Sequence, residues 1–129
     1  MIEVHKYVGF AVVAVFSVGW IWGAAAWIRK RTPGERFWSW LAVAQIVAGA
    51  QALIGIILLL LGHRPSTWLH YVYGFGPILV LVGAHQVARE QLDAETDSKP
   101  LPPWVPFAVA SFICFGLALR ALMTGLGTA

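Results

Sequence analysis

Charge is scarce in this chain of 129 residues: Asp, Glu, Lys and Arg make up 12% of it, against 59% hydrophobic residues. A soluble domain carries roughly 25% charge, and without it the apolar surface of so small a fold would stay uncovered in water. Cysteine occurs once, at Cys114. That excludes an intramolecular disulfide, a CxxC redox pair and a thiolate metal cluster, and inside a long apolar stretch the residue reads as a small buried hydrophobe. No Asp, Glu or Lys lies well inside any apolar stretch. Ionisable groups at membrane depth mark ion and proton pathways, so their absence disfavours an ion pump or a small multidrug transporter built on a buried carboxylate. The net charge of +3 is not a nucleic-acid footprint, because the basic residues gather mainly in one short loop; no nucleic-acid partner is expected.

Four uninterrupted apolar stretches, residues 7–28, 37–61, 68–87 and 104–123, fill most of the chain. Each is close to the ~20 residues that cross a ~30 Å hydrocarbon core as a helix. Barrel strands need only about 10 residues of alternating polarity, and these stretches do not alternate. The expectation is an all-α fold, a four-transmembrane-helix antiparallel bundle forming a single integral membrane domain over residues 1–129. The seven Trp suit the membrane–water interface. Ala24-Ala25-Ala26 resembles a signal-peptide cleavage site, but the apolar run is too long and its basic flank follows it, so a retained span is expected.

Arg29, Lys30, Arg31 and Arg36 flank the first connection, and Arg89 and Lys99 the third. The positive-inside rule puts both connections in the cytoplasm and both termini outside a cell (plasma) membrane, with Lys6, Arg64 and Arg120 on the outer side. The acidic run Glu90, Asp93, Glu95, Asp97 carries little topogenic weight and solvates its loop. Pro33 and Gly34 predict a tight turn between the first two spans. The segment 62–66 is a minimal turn that makes spans two and three antiparallel neighbours. The proline-rich segment 98–103 reads as stiff and extended.

One repeat stands out. His5-Lys6-Tyr7-Val8-Gly9-Phe10 opens the first span and His70-Tyr71-Val72-Tyr73-Gly74-Phe75 the third, both as H-x-x-x-G-F. A duplicated helical hairpin with a pseudo-twofold axis along the membrane normal would produce that pattern. If spans one and three face each other, the imidazoles of His5 and His70 approach at matched depth, as two axial ligands of a haem iron do in a helix bundle. Glycine at the i+4 position lies on the same helical face, so Gly9 and Gly74 would leave room for the macrocycle. The competing reading makes both histidines interfacial polar residues and both glycines packing positions. His85 lies 15 residues after His70, about 22 Å along the helix, where a second haem would need a partner; the equivalent position in the first span is Trp20. One haem b near the outer face is therefore expected, with His85 interfacial. His63 reads as a swapped ligand, a propionate partner or a solvent-exposed residue. Arg120 reads as a propionate partner or a snorkelling arginine. Gln51 needs a hydrogen-bond partner and is expected to face the bundle.

The segments Glu3-Val4-His5-Lys6, Gln51-Ala52-Leu53-Ile54-Gly55 and Leu69-His70 resemble, in that order, the Glu-x-x-His-Arg, Gln-x-x-Leu-Gly and Leu-His segments of the heme A synthase family. Those enzymes oxidise haem O to haem A in two related four-helix bundles, with histidines starting helices near the outer face. The resemblance covers roughly residues 3–74 and implies haem ligation by His5 and His70. The acidic residue lies one position too close to His5, half of the eight-helix architecture is present, and the outer-loop cysteine pair is missing. The oxidation chemistry is therefore not carried over.

The leading expectation is a small b-type, bis-histidine haem-binding membrane protein for electron transfer or haem handling, without independent catalytic activity. With both axial positions filled, electron transfer is favoured over oxygen chemistry. The alternative is a cofactor-free accessory subunit of a larger membrane complex, for which small residues such as Ala48, Gly49 and Ala50 suit helix contacts. Expected partners are the lipid bilayer and a respiratory complex or a second copy of the chain.

Overall fold

A computed structural model describes residues 2–65, 67–93, 102 and 104–126. The proline-rich segment 98–103, apart from Pro102, and Glu95 and Asp97 of the acidic run lie outside the described residues. Four helices follow one another: α1 (Ile2–Ile28), α2 (Glu35–Leu60), α3 (Leu69–Asp93) and α4 (Trp104–Leu126). All four are long and apolar enough to cross a membrane. The protein is a multi-pass membrane protein with a four-helix bundle fold. Helices are the structure lipid permits here, because each spanning segment must satisfy its own backbone groups.

Helix ends are set by backbone chemistry more than by hydropathy. α1 starts at Ile2, five residues before the apolar stretch, since nothing in Glu3-Val4-His5-Lys6 stops a helix; His5 is thus within α1. The stop signal of α1 is Lys30, at φ 54, with Arg31 N–H donating to Ala26 O at 2.9 Å. This six-to-one closure is the Schellman pattern, usually built on glycine. Gly34 instead serves as the extended N-cap of α2. α2 ends the same way, with Gly62 at φ 91 and His63 N–H donating to Leu58 O at 2.9 Å.

α1 packs against α2 and α4, and α3 packs against α4 and only sparingly against α2. α1 and α3 therefore oppose each other across one diagonal of the bundle. Small residues let α1 and α4 approach: a Cβ at Gly23 would lie 2.6 Å from Ala108 Cβ, and one at Gly19 would lie 3.2 Å from Ser111 Oγ. Close approach through small side chains is how membrane helices associate when lipid removes the hydrophobic drive between them. Two apolar clusters fill the bundle. One joins Phe37, Leu41, Ala88, Trp104 and Phe107 near the α1–α2 turn; the other joins Val12, Phe16, Ala44, Leu81 and Cys114 at mid-height. Beyond them, toward the α2–α3 turn, the interior is not filled. The large side chains on the outside are apolar too, with Leu60 80% and Leu79 73% exposed, as lipid-facing positions should be.

Cys114 is buried, as expected, and its Sγ–H donates to Pro77 O at 3.5 Å. Pro77 lies inside α3 and frees a backbone carbonyl one turn earlier.

Candidate cofactor site

The unfilled end holds a cavity of about 530 Å³ lined by residues of all four helices and of the α2–α3 turn. Its walls are mostly apolar, including Val12, Leu58, Phe75, Ile78 and Leu122. His5 and His70 enter it from the two diagonal helices. Their ring centroids are 6.1 Å apart with the planes at 72°. The diagonal arrangement and the matched height expected from the repeat are both present.

The two rings rest on glycines of α2 and α4. A Cβ at Gly55 would lie 3.3 Å from His5 Cε1, and one at Gly125 would lie 3.1 Å from His70 Cε1. Each histidine is thus backed by a glycine of the helix that follows it. Gly9 and Gly74 also line the cavity. Gly9 faces Gln51 Nε2, at 3.2 Å from the position of a Cβ, while a Cβ at Gly74 would meet nothing within 4 Å. Gly55 closes the Gln51–Gly55 segment of the resemblance; no sequence pattern marks Gly125, which is out of register with the histidine repeat.

Hydrogen bonding distinguishes the two imidazoles. His70 Nδ1 lies 3.0 Å from Ala121 O and 3.1 Å from Thr124 Oγ1. A carbonyl only accepts, so Nδ1 carries the proton, and in the neutral ring Nε2 keeps its lone pair. Thr124 Oγ1–H itself donates to Ala121 O at 2.9 Å, which leaves its oxygen as a second acceptor. His5 Nδ1 is buried without a partner. Gln51 faces the bundle, as expected, and its Nε2–H donates to His5 O at 2.8 Å; its Oε1 is buried and unpaired.

Lys6, His63 and Arg64 line the same cavity, which puts cationic and imidazole groups at its α2–α3 end. Arg120 does not line it; the guanidinium lies over the Tyr73 ring, 5.6 Å from the centroid. Tyr73 is half-buried and itself lines the cavity, so the exposed Arg120 meets the site only through this cation–π contact. His85 is far from the cavity. Its Nε2–H donates to Gln45 Oε1 at 2.9 Å, and its ring meets Phe107 edge-on at 4.8 Å between centroids. Trp20, its counterpart in the repeat, packs on Phe112 and Phe115.

No group of three or more His, Cys, Asp or Glu among the described residues could hold a metal ion. A bare zinc-type ion takes three or four protein ligands. Two opposed imidazoles in an apolar cavity suit a group that brings most of its own donor atoms.

No protein-family model matches the chain, and no solved structure matches it. Among curated proteins, a lipoprotein signal peptidase from Sinorhizobium fredii (strain NBRC 101917 / NGR234) is 29% identical over 91 residues, covering 66% of this chain and 51% of the relative. The chain spans about half the length of that curated relative.

Proposed function

We propose that the cavity holds one haem b between His5 and His70, and that the chain serves electron transfer or haem handling in the cell membrane. The observation that carries this reading is the pair of imidazoles, 6.1 Å apart, inside a cavity of about 530 Å³. His5 and His70 would hold such a group through ring nitrogens, their rings standing near enough across the cavity to share one metal atom. The volume falls within the ~300–1,000 Å³ usual for cofactor sites. The orphaned Nδ1 of His5 and the glycines beneath both rings also fit a large planar ligand.

Bound there, haem supplies one-electron chemistry between ferric and ferrous iron. His70 presents the Nε2 lone pair because Nδ1–H is held by Ala121 O; such a bond fixes the ring and raises its basicity. The apolar walls exclude water and keep the site's dielectric low. Lys6 and Arg64, lining the cavity, attract the anionic edge of the ligand. The positive-inside rule orients the mouth and both termini outward. The resemblance to heme A synthase agrees with the ligand pair, and no oxidation of the haem periphery is proposed.

A peptidase reading, taken from the relative's name, finds little support in the packed core. The buried Ser111 Oγ–H donates to Phe107 O and Cys114 Sγ–H to Pro77 O, so these two groups are engaged by backbone. The deciding experiment is a reduced-minus-oxidised visible spectrum of the purified chain. Sharp reduced α and β bands, absent from His70→Ala, support the proposal. A colourless, folded protein that takes up no haemin rejects it and leaves the accessory-subunit alternative.

A further inference from the structure

The two imidazoles are held in different ways. We infer that His70 is the fixed ligand of this cavity and His5 the exchangeable one, so that the His5 side of a bound haem accepts a small neutral ligand of the carbon monoxide class. The inference rests on the haem reading above.

His70 is anchored through its ring, by Ala121 O at 3.0 Å and Thr124 Oγ1 at 3.1 Å. Turning that ring out of the cavity would break both contacts. His5 has the same glycine support, from Gly55, but its buried Nδ1 has no partner, so its ring is held less firmly than that of His70. The difference lies in what stands beside each ring: Ala121 O and the Thr124 hydroxyl reach His70 Nδ1, whereas Gln51 and Ile54, four residues and one residue before Gly55, give His5 Nδ1 no hydrogen bond. The Gln51 amide donates to the backbone carbonyl of His5, and its Oε1 is buried without a hydrogen-bond partner. The exchange is a ligand substitution: one nitrogen–iron bond breaks, one bond from the incoming lone pair forms, and no electron or proton changes hands. An outer-shell bond to a ligating histidine is typically worth about 10–100-fold in metal affinity, so the asymmetry should be measurable.

The full chain, in lipid nanodiscs, is titrated with haemin, reduced with dithionite and exposed to carbon monoxide. The wild type should give a six-coordinate low-spin spectrum that carbon monoxide converts. His5→Ala should keep haemin affinity within about threefold yet become high-spin, while His70→Ala should lose roughly tenfold or more, with Thr124→Val between them. Free imidazole should restore the low-spin spectrum of His5→Ala, which separates a lost ligand from a lost fold. Equal affinity losses in the two histidine variants, or a reduced wild type whose spectrum carbon monoxide leaves unchanged, would overturn the assignment while haem binding stands. A helical His5→Ala protein that imidazole cannot rescue counts against it as well. A wild type that takes up no haemin overturns the underlying reading, and this one with it.

Discussion

The hairpin α1–α2 and the hairpin α3–α4 do the same thing with different chemistry. Each begins with a histidine, places a glycine four residues further along, and backs the imidazole with a second glycine on the returning helix (Gly55 or Gly125). The second hairpin also grips its ring through Ala121 and Thr124. The first has Gln51, which grips the backbone. The two hairpins thus share small residues beneath the rings and differ at the polar ones, because a glycine position beneath a ring has no room for a larger side chain, whereas a hydrogen bond can be relocated. The comparison also separates the two ends of the bundle: the α1–α2 end is packed by Phe37, Leu41 and Trp104, and the other end is left open.

The largest effects should come from filling the glycines beneath the rings. Gly125→Leu would drive into the His70 ring, already 3.1 Å from the position of a Cβ, and is expected to lower haemin affinity roughly tenfold or more. Gly55→Leu, the matched change in the first hairpin, should displace His5 and leave a high-spin haem still bound; equal losses in both variants would erase the distinction between the hairpins. Next comes the packed end. Gly23→Val places side-chain atoms against Ala108, 2.6 Å from the Cβ position, and overpacking of this kind costs about 1–3 kcal/mol, to be read from thermal unfolding in detergent. Gln51→Ala removes the bond to His5 O, for about 1 kcal/mol. Gly74→Ala should be the mildest, within about 0.5 kcal/mol, since nothing lies within 4 Å of its Cβ position. A loss of haemin affinity there, with stability kept, would show that the ligand reaches the cavity wall that Gly74 helps to form.

Much of the architecture was legible in the residues. Helix number follows from the apolar stretches, because length against bilayer thickness leaves few alternatives. Helix ends were less legible: α1 reaches back to Ile2 because hydropathy marks where lipid contact ends, not where backbone hydrogen bonding stops. That α1 ends at a left-handed Lys30, ahead of the Pro33-Gly34 turn, is the same kind of difference. The paired histidines could be singled out because the repeat gave them equal offsets. Arg120 illustrates the opposite case. A lone arginine near a helix end carries no pattern, and its direction depends on where Tyr73 of a neighbouring helix lies.

Local rules, apolar length, the glycine and proline stops, and the matched histidine offsets, were enough to determine a four-span helical chain with two imidazoles at one height. Which helices would lie on the diagonal, how far apart the rings would stand, and which nitrogen would find a partner were decided only when all four helices packed. Those quantities depend on contacts between residues tens of positions apart, such as Gln51 with His5 and Ala121 with His70. No local propensity encodes such distances; they follow from the close approach that Gly19, Gly23 and their small neighbours on α4 allow.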